Sequence, residues 1–551
     1  MARIDVRYGL FWVGALVLVG CRLLLSADMS VQVTYSPHDD SLYVERAYHL
    51  LRGEAFGPYD SRILVKYPGL SLWLAGMRAL GIPYLLSVNA LYMGAGLYLV
   101  VAFLRSGASR WIALAAFGLY LFNPITFGSE WTLVIREPLA TGLFVLMLAA
   151  MAHVFASIES GRTPWTHLAL LAPAFAFALF VREDDRLLWA LLLLFAIALA
   201  WRVLSRPLER RALVFLFVAV TAPALVGKAY EQTLRNFVER HYGLPILHEL
   251  GEGEYPRLLA AIRSIHSAKD NRMVAVTQEA LGKLRTVVPI FRPVIDRLPP
   301  PGPRTRSCRI HGVCSEWASG WMVFWIRDEA YRAGLTPTLI QGQAYFREVR
   351  RAIESACRSG RLACTPKGEA LVPPMELRWI TAYVAEGWKI VKSGLAPDPN
   401  TVIESSRDYH VPPDVAQMFA AVTLTENGMT GRGANHKDTD ASPLEKWRLA
   451  IVKPYQVMAV LLLLAALIAF GLRCWFLDRW PIGAIALAGS AFGLYSFLRM
   501  AALSYVAVYM GAFDPRMMFS TYAAAVVLTL PFIADTFAAA RAQRIGETGQ
   551  W

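Results

Sequence analysis

Long apolar runs alternate with short charged connections over most of the chain. They lie near 8–25, 82–104, 111–127, 139–157, 166–181, 187–204, 212–228, 450–472, 481–511 and 516–539. Most extend over roughly 17 to 25 residues, enough for a helix to cross a hydrocarbon core of about 30 Å. Strands are excluded from such runs, because an open strand edge in lipid leaves backbone N–H and C=O groups without partners. The pattern predicts an all-α polytopic membrane protein with about ten transmembrane helices. The segment YPGLSLWLAGMRAL, which precedes the second run, is too short to span and reads as an interfacial or re-entrant helix. Arg3 and Arg7 stand before the first run, and no small-x-small cleavage pattern follows it, so that run is expected to be an uncleaved anchor.

Composition agrees: of 551 residues 56% are hydrophobic and only 18% charged, where a soluble protein carries about 25% charged residues. The formal charge of +13 sets orientation. Arginines crowd alternate connections: Arg105 and Arg110, Arg162, WRVLSRPLERR at 201–211, Arg473 and Arg479, Arg541 and Arg544. Placing these with the N-terminus on the cytoplasmic side satisfies the positive-inside bias. Basic charge dispersed over short loops argues against nucleic-acid binding. The expected location is a bacterial-type inner membrane.

The loops richest in carboxylates then fall on the outer face: SPHDD at 36–40, FGSEWTLVIREP at 127–138, VREDDR at 181–186 and AFDPRM at 512–517, together with the whole of 229–449. The chain divides into a membrane module over 1–228, an extracytoplasmic soluble domain over 229–449 and a second membrane module over 450–551. Four cysteines of six lie in the outer domain as close pairs, Cys308 with Cys314 and Cys357 with Cys364. Close pairs in an oxidising compartment suggest two local disulfides; zinc is the alternative, with no CxxC spacing and His311 as the one histidine nearby. Cys21 and Cys474, in or beside spans, are expected to be packing residues. Apolar residues at Ala344, Tyr345, Val349, Ala352, Ile353 and Ala356 predict an amphipathic helix over 341–360. A second is expected over 315–334, where Trp317, Trp321, Phe324 and Trp325 form a core face or an edge on headgroups, with a sugar-stacking platform as the rival reading.

The adjacent acids Asp39 and Asp40, just outside the first span, raise a chemical question, since a like-charged pair gains nothing from lipid headgroups. Downstream, SRILVKYPGLSLWLAGM carries Lys66 and a Tyr-Pro-Gly turn. An acidic pair followed by such a turn resembles the GT-C glycosyltransferases that take sugars from polyprenyl-phosphate carriers, the aminoarabinose transferases and protein O-mannosyltransferases among them. NPITFGSEWTLVIREPLATGLFVLMLAA (123–150), FVREDDRLLW (180–189) and FDPRMMFSTYAAAVVL (513–528) resemble further outer loops of that family. Asp40 stands where Glu is commoner, Tyr67 replaces a first proline, and the outer domain matches no named one.

The resemblance implies a GT-C-like fold, with a polyprenyl-phosphate sugar as donor and a protein, lipid or polysaccharide as acceptor. It makes Asp39 and Asp40 the catalytic carboxylates, with Asp39 as the base and Asp40 supporting it or exchanging roles with it. Lys66, Arg136 and Arg516 become the donor phosphate contacts with Arg62 and Arg182 behind them, and Glu137, Glu183 and Asp184 further site candidates. Chemistry points the same way: phosphate is a good leaving group, so the site needs a base for the acceptor hydroxyl and cations for the departing charge, but no general acid. Two close carboxylates can raise one member's pKa. Plainer readings stand beside these: Arg136 and Glu137 pairing at a helix start, 183–185 as helix N-terminal acids, Arg516 as a headgroup anchor, and His38 as a neighbour rather than a ligand. No cofactor is required, although the carboxylates could bind a divalent cation. A nucleotide-sugar enzyme would show a strand and Gly-rich turn. A transporter would place charge mid-span, where only Arg499 stands, reaching a headgroup or an internal partner. A receptor with an outer sensor domain would not account for four charged loops on one face.

Overall fold

The computed structural model describes residues 6–204, 210–267, 272–274, 276–305, 308–309, 312–365, 375–395, 411–425, 443–475, 484–510 and 515–548. Among these residues the chain is helical, with isolated bridges at Gln32–Leu133 and Ile265–Cys364 and no strand. The first span is α1, Val6–Leu25. Two short helices follow, α2 (Asp40–Leu51) and α3 (Gly69–Ala79). The next apolar helices are α4 (Tyr84–Arg105), α5 (Arg110–Leu121), α6 (Arg136–Glu159), α7 (Trp165–Ala178), α8 (Leu188–Leu204) and α9 (Arg210–Tyr242). Residues 243–442 contribute α10 (Glu254–Arg263), α11 (Gln278–Val287), α12 (Ser319–Arg332), α13 (Leu339–Arg358), α14 (Ile380–Leu395) and α15 (Pro413–Thr423). The chain closes with α16 (Pro443–Trp475), α17 (Ala484–Met510) and α18 (Phe519–Thr548).

Each expected apolar run is thus a helix. Among the described residues six helices are long and apolar enough to cross a membrane, and four apolar helices are shorter. The clearest departure is α5, expected to reach 127. It stops at Leu121 because Asn123 turns the chain, its side chain accepting from Ile125 N–H at the head of the short Pro124–Phe127 turn. Proline at the start of that turn has no N–H to continue the α-helical ladder. Helix α6 is the hub, buried on nearly every side and packed on α4, α7, α17 and α18. By contrast α1 and α16 leave Leu16, Leu461 and Ile468 bare, the surface a bilayer would cover. Cys21 is exposed on α1, not packed inside, and the Cys474 side chain lies outside the described residues. Arg499 is buried, donating to Tyr495 Oη at 2.8 Å and to the Met517 carbonyl at 2.9 Å, so its partner is internal.

Position 228 falls inside α9, which runs on without a break to Tyr242, and position 449 falls inside α16. Between them, α10–α13 enclose a core that includes Leu258, Ile262, Leu284, Ile326, Phe346 and Ile353. Trp317 is buried in that core and Phe324 and Trp325 pack against it, as the core reading of that face requires. Both expected disulfides are present, Cys308–Cys314 and Cys357–Cys364. Helices α14 and α15 pack elsewhere, α14 on α17 and α15 on the short helices α2 and α3.

One buried ion pair fastens the α10–α13 unit to the loop before Lys66. Arg327 on α12 pairs with Glu249, both side chains almost wholly buried, and also donates to the Ser61 carbonyl. Tyr59 Oη donates to both Glu249 oxygens at 3.2 and 3.1 Å, and Gln343 Nε2 donates at 3.0 Å. Glu249 N–H reaches the Leu64 carbonyl at 2.8 Å. Removing one member of such a pair strands a buried charge, whereas replacing both by apolar groups is often neutral. Arg327→Met is therefore expected to cost about 3–5 kcal/mol of unfolding free energy. Arg327→Met/Glu249→Leu should recover part of the loss. Denaturant unfolding of the purified protein checks both, and an Arg327→Met variant as stable as wild type would contradict the account.

Candidate active site

The two acids at 39 and 40 have different fates, and helix register decides which is which. Asp40 begins α2 with a side chain that is 0% exposed. Its oxygens accept the backbone N–H groups of Thr34 at 2.6 Å, Tyr35 at 3.1 Å, Ser36 at 2.8 Å and Ser41 at 3.0 Å. Burial pushes the Asp40 carboxyl up, and these N–H groups pull part of that shift back. The expected cause, repulsion from the neighbouring acid, is not the dominant one. Asp40 braces the 34–41 loop, which bends through a left-handed Tyr35 at φ 51°. Of the two expected catalytic carboxylates it is the buried one, engaged by backbone.

Asp39 is the N-cap residue of α2 but makes no side-chain cap. Its carboxylate, 33% exposed, pairs with the Lys66 ammonium. Lys66 in turn is positioned by an arginine that sequence reasoning missed. Arg46, buried in α2, donates to the carbonyls of Ile63 and Lys66, the latter at 3.0 Å, and so shapes the loop from inside. Its signal was a charge on the same helical face as Tyr43 and Ala47. After Lys66 the Tyr-Pro-Gly turn presses against the 180–183 loop: Gly69 N–H donates to the Phe180 carbonyl at 2.8 Å. A Cβ at Gly69 would lie 2.4 Å from that oxygen, so only glycine allows the approach.

The 180–183 loop brings the remaining charges. Arg136, at the start of α6, pairs with Glu183, whose other oxygen accepts Tyr67 N–H at 3.4 Å. Arg182 pairs with Glu137 at 2.9 Å, both almost fully buried. The partner of Arg136 is therefore on the other loop, not its neighbour Glu137. Lys66 Nζ and the Arg136 guanidinium both face the Tyr43 ring, at 5.7 and 5.9 Å from its centroid, and the buried Tyr43 hydroxyl has no hydrogen-bond partner among the described residues. Burial lowers the proton affinity of Lys66, with the Asp39 carboxylate opposing that shift. Burial would push Glu183 up, but the charges of Arg136, His248 and Lys66 together outweigh it and hold the carboxyl down at about 2.

Asp39, Lys66, Arg136 and Glu183 are thus brought together around Tyr43. Arg182 and Glu137 form a second, almost fully buried pair between the same two segments. Arg62 is directed elsewhere, to Asp60 at 2.8 Å and Glu45 at 3.3 Å. His38 is a neighbour, its Nε2 3.4 Å from Asp328 of α12. The side chains of Arg516 and Asp184 lie outside the described residues. Among the described residues no group of three or more His, Cys, Asp or Glu side chains is placed to hold a metal ion.

No protein-family model matches the chain, and no curated protein matches it. Solved structures similar to it include two of ArnT from Cupriavidus metallidurans. The one bound to undecaprenyl phosphate is 15% identical, covering 90% of this chain and 77% of that chain with a TM-score of 0.27. The apo state is 14% identical, covering 91% and 78% with a TM-score of 0.28. Scores this low mark a loose likeness, and what the site can do follows from the residues of this chain.

Because the folded pKa of Glu183 lies below its ordinary value of 4.5, its ionised form stabilises the fold above that value. The contribution fades as pH falls from there towards about 2. Between pH 8 and 6 the melting-temperature difference between wild type and Glu183→Gln should accordingly be flat, about the pH-independent part of linkage, and it should shrink only in acid. A difference that vanished near neutrality would show that Glu183 is not held ionised by Arg136.

Proposed function

We propose that the chain is a membrane glycosyltransferase that moves a sugar from a polyprenyl-phosphate carrier to an acceptor hydroxyl at the outer face of the membrane. The observation that carries this reading is one partly open carboxylate, Asp39, set against two nearly buried cations, Lys66 and Arg136, just outside the first span. The motif resemblance around Asp39 and Lys66 points to the same class.

In this reading the acceptor oxygen attacks the anomeric carbon while the bond from that carbon to the phosphate oxygen breaks. The hydroxyl proton passes to Asp39, and the carrier leaves as a lipid phosphate anion that needs no proton from the enzyme. Lys66 and Arg136 stabilise the charge as it grows on the phosphate. They act where water is scarce and each interaction is correspondingly strong. The ammonium of Lys66 has three N–H donors, so it can keep Asp39 oriented and still reach a phosphate oxygen. Arg136 offers a planar fork matched to phosphate, with Glu183 holding it in place. Asp40, braced by backbone, fixes the loop without entering the reaction.

The test is transfer of radiolabelled sugar in native membranes, with a panel of polyprenyl-phosphate sugars and the natural envelope acceptors. Asp39→Asn at matched expression should lower transfer by roughly 10²-fold or more, the size expected for loss of a general base. Transfer undiminished in Asp39→Asn would remove Asp39 as the base. A wild-type protein inert towards every donor would favour a transporter or receptor instead.

A further inference from the structure

The geometry points to α14 as a membrane-embedded element: residues 380–395 lie in the outer leaflet, with one face on α17 and a second face on lipid acyl chains. The helix does not belong with the soluble part of the outer segment, and this placement does not depend on the transferase reading.

Three observations carry it. First, α14 runs antiparallel along the outer turns of α17. Tyr383 Oη donates to Tyr509 Oη at 2.9 Å, Gly387 sits against Ser504, and Ile390 packs in a cluster with Leu503 and Met518. From Tyr509 to Leu503 is about 9 Å of helix at 1.5 Å per residue. At its inner end Ser393 and Tyr522 share a hydrogen bond of 2.8 Å, so α14 also meets the start of α18. The segment is therefore seated beside a span, below its outer end.

Second, α17 covers only half of its apolar surface. Tyr383, Gly387 and Ile390 form the stripe against α17. The stripe of Ile380, Val384 and Trp388 lies about 100° further round the helix and is bare, with Val384 67% and Trp388 65% exposed. Leu377, just before the helix, is bare as well. A contiguous apolar face of this size on a water-facing surface would be unusual for a protein of any class. It continues the lipid-facing side of α17, where Leu494 and Phe497 are also exposed.

Third, the polar residues occupy the remaining face. Lys389 pairs with Glu386 at 2.7 Å and Lys392 is exposed, while Arg378 lies over the Trp379 ring at the outer end. Basic and aromatic residues beside an apolar stripe suit a helix held at the headgroup boundary, where the bilayer supplies both phosphate charge and acyl chains. The bilayer is the occupant the alignment favours, because the bare stripe lies beside a helix long and apolar enough to cross a membrane.

The test places the photo-cross-linker p-benzoylphenylalanine singly at Val384, Trp388, Ala385 or Phe497 in the full-length protein. Each variant is reconstituted in nanodiscs of phosphatidylethanolamine and phosphatidylglycerol and read by mass spectrometry for phospholipid adducts. Phe497, exposed on the span α17, is the positive control. Adducts at positions 384 and 388 as abundant as at 497, and several-fold above those at 385, are expected. Adducts at 497 without any at 384 and 388 would overturn the placement. Equal yields at 384, 388 and 385 would overturn it too, since the polar face would then meet lipid as readily as the apolar one.

Discussion

The candidate site at this end of the bundle rests on two crossed ion pairs, Arg136 with Glu183 and Arg182 with Glu137. Each joins the start of α6 to the loop between α7 and α8. A charge at a membrane edge is costly unless paired and hydrogen-bonded, and neither loop satisfies its own charges alone. Cross-pairing satisfies both and sets the distance between them. The Tyr-Pro-Gly turn then docks on the same loop through Gly69 and Phe180, which brings Lys66 beside Arg136. Asp39 arrives last, on a loop that Asp40 holds rigid.

The arrangement separates support from chemistry. Asp40, Arg46, Arg182 and Glu137 are buried, Asp40 and Arg46 hydrogen-bonded to backbone and Arg182 paired with Glu137. Asp39 keeps a third of its surface open, and Lys66 and Arg136 keep about an eighth. The Glu249–Arg327 pair extends the same logic outward, since it ties the α10–α13 unit to the loop that ends at Lys66. A disturbance in the outer unit thus has a short path to the proposed base.

Much of this was legible in the sequence because hydrophobic runs and charge asymmetry are local signals. The ten apolar runs, the amphipathic helix over 341–360, the paired cysteines and the acid–lysine order were all readable. The failures share one cause: they depend on which way a side chain turns. Asp39 and Asp40 are equivalent as letters, and only the start of α2 makes one a brace. Arg62 looks like a phosphate contact until Asp60 and Glu45 claim it. Arg46 was overlooked because its partners are carbonyls, which leave no mark in composition. The early end of α5 needed the turn at Asn123 to be weighed against a run that stays apolar past it. Residues 380–395 fall within the expected 229–449 segment, and their apolar face, read alone, cannot reveal that α17 covers only half of it.

The most direct measurement of the central claim is binding of undecaprenyl phosphate to the purified protein by native mass spectrometry, comparing wild type with Arg136→Ala and Arg62→Ala. If Lys66 and Arg136 form the phosphate site, Arg136→Ala should weaken binding at least about tenfold, the loss of roughly one charge-assisted contact of 1.5–3 kcal/mol. Arg62→Ala, whose guanidinium is engaged elsewhere, should bind as wild type does. Equal binding by all three proteins, or a loss confined to Arg62→Ala, would contradict the account.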